Sequence, residues 1–265
     1  MTGLAYPNIS PVFANIAGFE LRWYSLAYLV GIIFAWIGIV HNIKKYKLPI
    51  TKNAIDDMMF NITLGIILGG RIFYVLFYNF SMFLSHPMEI FALWHGGMSF
   101  HGGLLGVIIA LIYSARKMHY PLLGISDLAA LYTPFGLFLG RIANFINDEL
   151  WGRISDVPWA VRFPNGGYEP RHPSQLYEAA FEGIVLFILL QILWRFPRVR
   201  ESKGFTSGVF LAFYAVCRMI IELFREPDAQ LGFIFSGITM GQILSFPILL
   251  LGIYLIWFSL RHNRT

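Results

Sequence analysis

The chain has 265 residues, of which 57% are hydrophobic, 17% aromatic and only 13% charged, against roughly 25% charged in a soluble domain. That composition excludes a disordered chain, a nucleic-acid-binding domain and most soluble enzymes, and the long apolar runs point to the membrane as solvent. One cysteine, Cys217, excludes a disulfide framework and a cysteine-based metal cluster, and the net charge of +5 acquires meaning only from its positions.

In chain order, stretches of about 20 apolar residues, enough to cross a hydrocarbon core, predict seven helical spans near 19–40, 58–79, 98–115, 122–142, 176–194, 205–224 and 238–259. Pro134 breaks the fourth, and Glu178 and Glu182 lie in the first turns of the fifth. No basic n-region precedes the first span, whose apolar stretch is too long for a cleaved signal. The expected fold is all-α, a polytopic membrane protein forming one domain over 1–265. The segment 143–175 mixes Gly, Pro, aromatic and charged residues and is expected to form a small ordered external cap.

Basic residues set the orientation. The loops after spans one, three, five and seven hold Lys44, Lys45, Lys47 and Lys52, then Arg116 and Lys117, then Arg195, Arg198, Arg200 and Lys203, then Arg261 and Arg264. By the positive-inside rule these face the cytoplasm, so the N-terminus lies outside and the C-terminus inside. Every lysine is in that set, and the eight remaining basic residues, at 22, 71, 141, 153, 162, 171, 218 and 225, are all arginine. Guanidinium is a rigid fork that binds phosphate bidentately and tolerates partial burial, so this division hints at anion handling.

Ionisable groups inside a span are functional candidates by default. On this topology Arg71, Arg141 and Arg218 fall late in outward-running spans, and Tyr24, His101, Glu178 and Glu182 fall early in inward-running ones. All therefore converge toward the outer leaflet, where a structural reading would let them scatter or snorkel from either end.

Three motifs stand out. In Gly140–Arg153, a continuous helix would put Arg141, Asn144 and Asp148 on one face, while Asn144 and Asn147 offer uncharged donors and acceptors for hydroxyls or phosphate oxygens. Glu149 and Gly152 belong to the same segment. Tyr214, Arg218, Glu222 and Arg225 form a second stripe, read either as an anion site in which Glu222 orients Arg218 or as an internal Arg–Glu–Arg network. The third, His95–Gly103, holds four glycines that permit close approach of a helix or a ligand, and His101 is a candidate general base. Gly97–His101 falls short of a serine-hydrolase elbow, and the spacing of His95 and His101 suits no metal, so no metal or cofactor is expected. Asp127, beside Ser126, reads as a helix cap. Two facing aspartates for an intramembrane protease are missing, since Asp127 and Asp148 lie toward opposite ends of span four. A transporter or flippase for an anionic lipid would spread its polar residues over the full membrane depth.

At these residues the chain closely resembles the bacterial prolipoprotein diacylglyceryl transferases. The matching segments are Trp23-Tyr24, Gly69-Gly70-Arg71, His95–Gly103, Gly140–Arg153, Arg171–Glu178 and Arg218–Asp228. Ala143 stands where the family pattern more often has glycine, and Asp148 occupies a variable position. The resemblance implies a bacterial inner-membrane enzyme with its active site toward the outer leaflet. Such an enzyme takes phosphatidylglycerol and a preprolipoprotein signal peptide, and transfers the diacylglyceryl group to the lipobox cysteine, releasing glycerol phosphate. Its partners are then these two substrates and membrane lipids, with no nucleic acid, and no catalytic cysteine is needed from the chain itself. The roles that follow are Arg141 and Arg218 as the phosphodiester clamp, with Asn144, Asn147, Glu149, Gly152, Glu222 and Arg225 ordering the lipid head or its loop. His101 is the base for the thiol, with Tyr24 and Tyr214 as hydroxyl partners.

Overall fold

The structure, a computed structural model, describes residues 3–16, 18–92, 96–167, 169–227, 232–235 and 237–262. His95 and Asp228 of the motifs above lie outside the described residues. In chain order the elements are β1 (Leu4–Ala5), β2 (Val12–Ile16), β3 (Phe19–Arg22), α1 (Trp23–Lys45), α2 (Lys52–Phe77), α3 (Phe80–Ser85) and a 3-10 turn at Pro87–Phe91. There follow α4 (Phe100–Met118), α5 (Leu122–Ala130), α6 (Thr133–Ile146), β4 (Val161–Arg162) and α7 (Ser174–Glu178). A π-helical turn, Ala179–Val185, joins α7 to α8 (Leu186–Leu193); α9 (Pro197–Glu201), α10 (Phe205–Ile221), β5 (Phe233–Phe235), β6 (Ile238–Thr239) and α11 (Met240–His262) complete the chain.

Among the described residues four helices are long and apolar enough to cross a membrane: Trp23–Lys45, Lys52–Phe77, Ser174–Leu193 and Met240–His262. The pair α5 and α6, bent by 41°, makes a fifth if it is one span. The break falls where the sequence places it, since Pro134 is tolerated in the first turn of α6 but not inside a continuous helix. The first predicted span starts too early. Residues 19–22 alternate in character and pair antiparallel with β2 across a turn at Gly18, whose φ of +89° suits glycine, so the helix begins only at Trp23.

The contacts divide the chain into two compact units, Met1–Ala35 with Asp127–Thr265, and Trp36–Ser126. In the second, α2 and α4 pack backbone to backbone. Gly65 faces Gly106 and Gly69 faces Gly102, and a Cβ on Gly102 would run into the Gly69 carbonyl and the Phe73 side chain. Of the glycines in the His95–Gly103 run, Gly102 thus serves helix contact, one of the two roles the sequence allowed, while Gly96 and Gly97 have φ of +78° and +81°. Ser99 caps α4, its hydroxyl accepting from the Gly102 N–H at 3.4 Å. Arg71 is buried and donates to the carbonyls of Ile90 at 2.9 Å, Gly96 at 2.5 Å, Gly97 at 3.1 Å and Ala92 at 3.2 Å, and to that of Glu89. Its fork ties residues 89–92 to Gly96 and Gly97, so its donors are spent on backbone carbonyls.

The first unit carries the cap. Gly152 donates to the His172 carbonyl (2.8 Å), His172 to that of Arg153 (3.0 Å) and Arg153 to that of Phe224 (2.8 Å), while Val161 and Arg171 exchange two bonds of 2.9 Å. These ladders, with β1 paired parallel to β4, order the described residues of the 143–175 segment in the way its composition predicts. Two expectations are corrected here. Asp127 does not cap its own helix: it lies inside α5, and its carboxylate accepts from the N–H groups of Gly204 and Ser207, each at 2.7 Å, and from the Ser207 hydroxyl at 2.8 Å, so it caps α10. Asp148 leaves the face of Arg141 and Asn144 because α6 stops at Ile146. Its φ of +53° turns the chain, and its carboxylate accepts from the Asn165 N–H at 2.6 Å.

Candidate active site

Three helical segments of the first unit bring six ionised side chains together. Glu178, at the end of α7 and fully buried, is the hub. Its Oε2 lies 3.2 Å from Arg141 Nε of α6, and its Oε1 contacts Arg218 Nη1 of α10 and lies 3.2 Å from Arg225 Nη1. Glu182, in the π-helical turn, meets Arg141 Nη2 at 3.5 Å, and Glu222 meets Arg218 Nη2 at 2.9 Å. Three guanidiniums thus face three carboxylates. Burying such groups is expensive unless each is paired, and the equal count supplies the pairing.

Local structure explains the convergence. A π-helical turn is a costly insertion that recurs at functional positions, and here it carries Glu182 toward α6. Gly183 lets the turn approach closely, for a Cβ there would come within 2.6 Å of the Phe138 side chain on α6. Both helix ends beside the cluster are capped by distant side chains. Tyr6 donates its hydroxyl to the carbonyls of Phe145 (2.9 Å) and Ile146 (2.8 Å) at the end of α6. Arg153 donates to those of Arg225 (2.9 Å) and Glu222 (3.3 Å) at the end of α10.

A polar shelf follows α6. Asn144 and Asn147 both donate to Glu149 Oε1, at 2.8 and 3.3 Å, and Gln175 donates to the Glu149 carbonyl at 2.6 Å. The acceptor oxygens Asn147 Oδ1 and Gln175 Oε1 are buried without a hydrogen-bond partner among the described residues. Nearby, Arg171 donates to the carbonyls of Gly166 (2.7 Å) and Gly152 (3.2 Å) and pairs with Glu226 at 3.2 Å. Burial lowers the pKa of His172, whose Nδ1 lies 3.1 Å from the Tyr177 hydroxyl, and burial raises that of Asp148 against the opposing Asn165 N–H.

The predicted residues sort as follows. Arg141, Arg218, Glu222 and Arg225 meet in the ionic cluster, and Tyr214, stacked with Phe210 on α10, lies within electrostatic reach of Arg141, Arg218 and Glu182. Asn144, Asn147 and Glu149 meet one another on the shelf. Gly152 lies where a Cβ would come within 2.5 Å of the Phe224 carbonyl and 2.6 Å of His172, so its position is set by backbone packing. Tyr24 contacts Tyr28 on α1, with ring centroids 5.4 Å apart. His101 is exposed on α4 and belongs to the second unit. Sequence reasoning left the direction of Glu178 and Glu182 open and missed the carbonyl-capping roles of Arg153 and Tyr6. The available signal was the charge count: arginines inside spans need carboxylate partners, and Glu178, Glu182 and Glu222 are the acidic residues the sequence puts inside the fifth and sixth spans.

A family model described as prolipoprotein diacylglyceryl transferase matches residues 11–258. The chain belongs to this family. Relatives named phosphatidylglycerol–prolipoprotein diacylglyceryl transferase include one from Rhodospirillum rubrum, 52% identical over 94% of this chain and 92% of its own length. Others come from Brucella anthropi, 49% identical over 100% of this chain and 95% of its own length, and Brucella canis, 49% identical over 99% and 95%. As a member of the prolipoprotein diacylglyceryl transferase family with several apolar helices, the protein is a mostly helical multi-pass membrane protein.

Proposed function

We propose that this protein transfers the diacylglyceryl group of phosphatidylglycerol to the thiol of the lipobox cysteine of preprolipoproteins, forming a thioether and releasing glycerol phosphate. The observation that carries this reading is the buried cluster of Arg141, Arg218 and Arg225, preorganised by glutamates, in a chain of this family. The thiol gives its proton to a base, the role for which the sequence offers His101, sulfur attacks C3 of the diacylglyceryl group, and the C3–O bond breaks with its electron pair leaving on the phosphate. Arg141 and Arg218 hold that phosphate; one such donor is worth about 10²–10³ in rate. Asn144, Asn147 and Glu149 order the glycerol head, Gly152 keeps their loop against the cap, and Tyr24 and Tyr214 supply hydroxyls. Cys217 is buried on α10, so the nucleophile is the substrate's.

The seven apolar segments are read as seven spans of a single integral membrane domain, with the N-terminus outside and the C-terminus in the cytoplasm. The lysine-bearing loops support this orientation, which puts the cluster toward the outer leaflet of the bacterial inner membrane. To test the function, the purified protein is incubated with phosphatidylglycerol and a cysteine-containing lipobox peptide, and the peptide is weighed. A diacylglyceryl mass gain is expected; an unmodified or cleaved peptide would refute the reading, and lipid movement without peptide modification would indicate a flippase.

A further inference from the structure

We propose that Glu182 is a placeholder counter-ion: the phosphate of an anionic phospholipid displaces it from Arg141, and the freed carboxylate takes up one proton, so lipid binding is coupled to proton uptake. The inference deepens the functional reading above and rests on it. Its basis is the unequal hold on three carboxylates. Glu178 contacts all three guanidiniums, and Glu222 holds Arg218 at 2.9 Å. Glu182 has a single contact of 3.5 Å to Arg141, and its Oε1 is buried with no hydrogen-bond partner among the described residues. Arg141 and Arg218 keep slight side-chain exposure, 16% and 13%, against 8% for Arg225. The least-held carboxylate therefore guards a guanidinium that is not closed off.

Charge balance supplies the proton. Three arginines and three glutamates sum to zero, and a phosphodiester adds one negative charge. A buried site avoids net charge by neutralising a group, because desolvation penalises the ionised form. The charged and titratable groups facing Glu182 are Arg141 from α6, Glu178 from α7, and Arg218, Tyr214 and Cys217 from α10; α8 brings none. Arg141 and Arg218 are permanently charged, and Glu178 is held by three arginines. Glu182 is left as the group that accepts a proton with the least loss of pairing. Once protonated it gains an O–H that can donate to a phosphate oxygen, and Arg141 Nη2 is released to the lipid.

The test uses full-length protein in detergent, short-chain phosphatidylglycerol and no peptide. Calorimetry in two buffers of different ionisation enthalpy counts protons. The wild-type protein should take up about one proton, with affinity falling up to about tenfold per pH unit wherever that uptake occurs, as the proton becomes scarcer. Glu182→Gln should take up none, bind with pH-independent affinity, and bind more tightly than wild type at the alkaline end. His101→Gln should keep the wild-type slope. Wild-type binding without proton uptake, a wild-type slope in Glu182→Gln, or loss of the slope in His101→Gln alone would each overturn the inference. If Glu182→Gln does not fold, the wild-type proton count decides. Absence of peptide modification by the wild-type protein counts against the functional reading, whereas pH-independent binding by an active enzyme counts against this inference alone.

Discussion

Replacing Glu178 with Gln preserves side-chain volume and removes one charge from the centre of the cluster. The structure puts that carboxylate against Arg141, Arg218 and Arg225 with no solvent exposure, so the variant leaves three guanidiniums facing two carboxylates. Breaking a buried pair by removing one partner costs about 3–5 kcal/mol, because the remaining charge stays buried and unpaired. For a chain of this size each kcal/mol moves the melting temperature by roughly 2–4 °C, so a loss on the order of 10 °C is expected. Thermal unfolding of detergent-solubilised protein, followed by intrinsic fluorescence, measures it. The pair Glu178→Gln with Arg225→Gln restores charge balance, so the double variant should be less destabilised than the sum of its singles by about 1 kcal/mol or more. A melting temperature unchanged in Glu178→Gln, or strict additivity in the double variant, would refute the argument that this carboxylate holds the arginines together.

Arg218→Lys keeps the charge but loses the planar fork that meets Glu178 and Glu222 together, and transfer to a lipobox peptide should fall by about 10²-fold while the protein still purifies folded; a normal rate would remove Arg218 from the clamp. Gly102→Ala forces a Cβ into the Gly69 carbonyl and Phe73, and should destabilise the α2–α4 pair by about 1–3 kcal/mol; thermal unfolding that matches wild type would argue against backbone contact there. His172 is half-buried, and the partial desolvation favours its neutral form in the fold, with its pKa lowered. The stability it contributes is complete above the ordinary histidine range and declines as pH falls through that range toward the lowered value. Protection factors of the cap amides between 147 and 167, taken after division by the base-catalysed intrinsic exchange rate, should fall on acidification in wild type and respond less in His172→Gln; an equal response would clear His172 of that role.

Most of the helical framework was legible because apolar runs are a local property. Helices stand at each of the seven predicted segments with ends shifted by a few residues, and the fourth segment breaks beside Pro134 as a proline requires. The errors arose where a short polar stretch adjoined an apolar one. Residues 19–22 are apolar enough to extend a helix on paper, yet they alternate and have β2 beside them as a partner. Asp148 obeys helical spacing only if the helix continues, and a positive φ at that residue ends the periodicity on which the projection depends.

Composition, lysine placement and the expectation that Arg71, Arg141 and Arg218 lie at one depth came from sequence alone, because transfer energies and charge signs need no partner. What each charge does was decided only by tertiary structure. Arg71 looks like its fellow arginines in sequence but spends its donors on backbone carbonyls between Glu89 and Ala92 and at Gly96 and Gly97, whereas Arg141 and Arg218 meet carboxylates from other helices. Asp127 reads as a local cap and instead closes a helix 77 residues away. The physical reason is common to all three: a buried polar group must be satisfied, and whether the nearest partner is a carbonyl, a carboxylate or a helix end depends on which segments pack beside it.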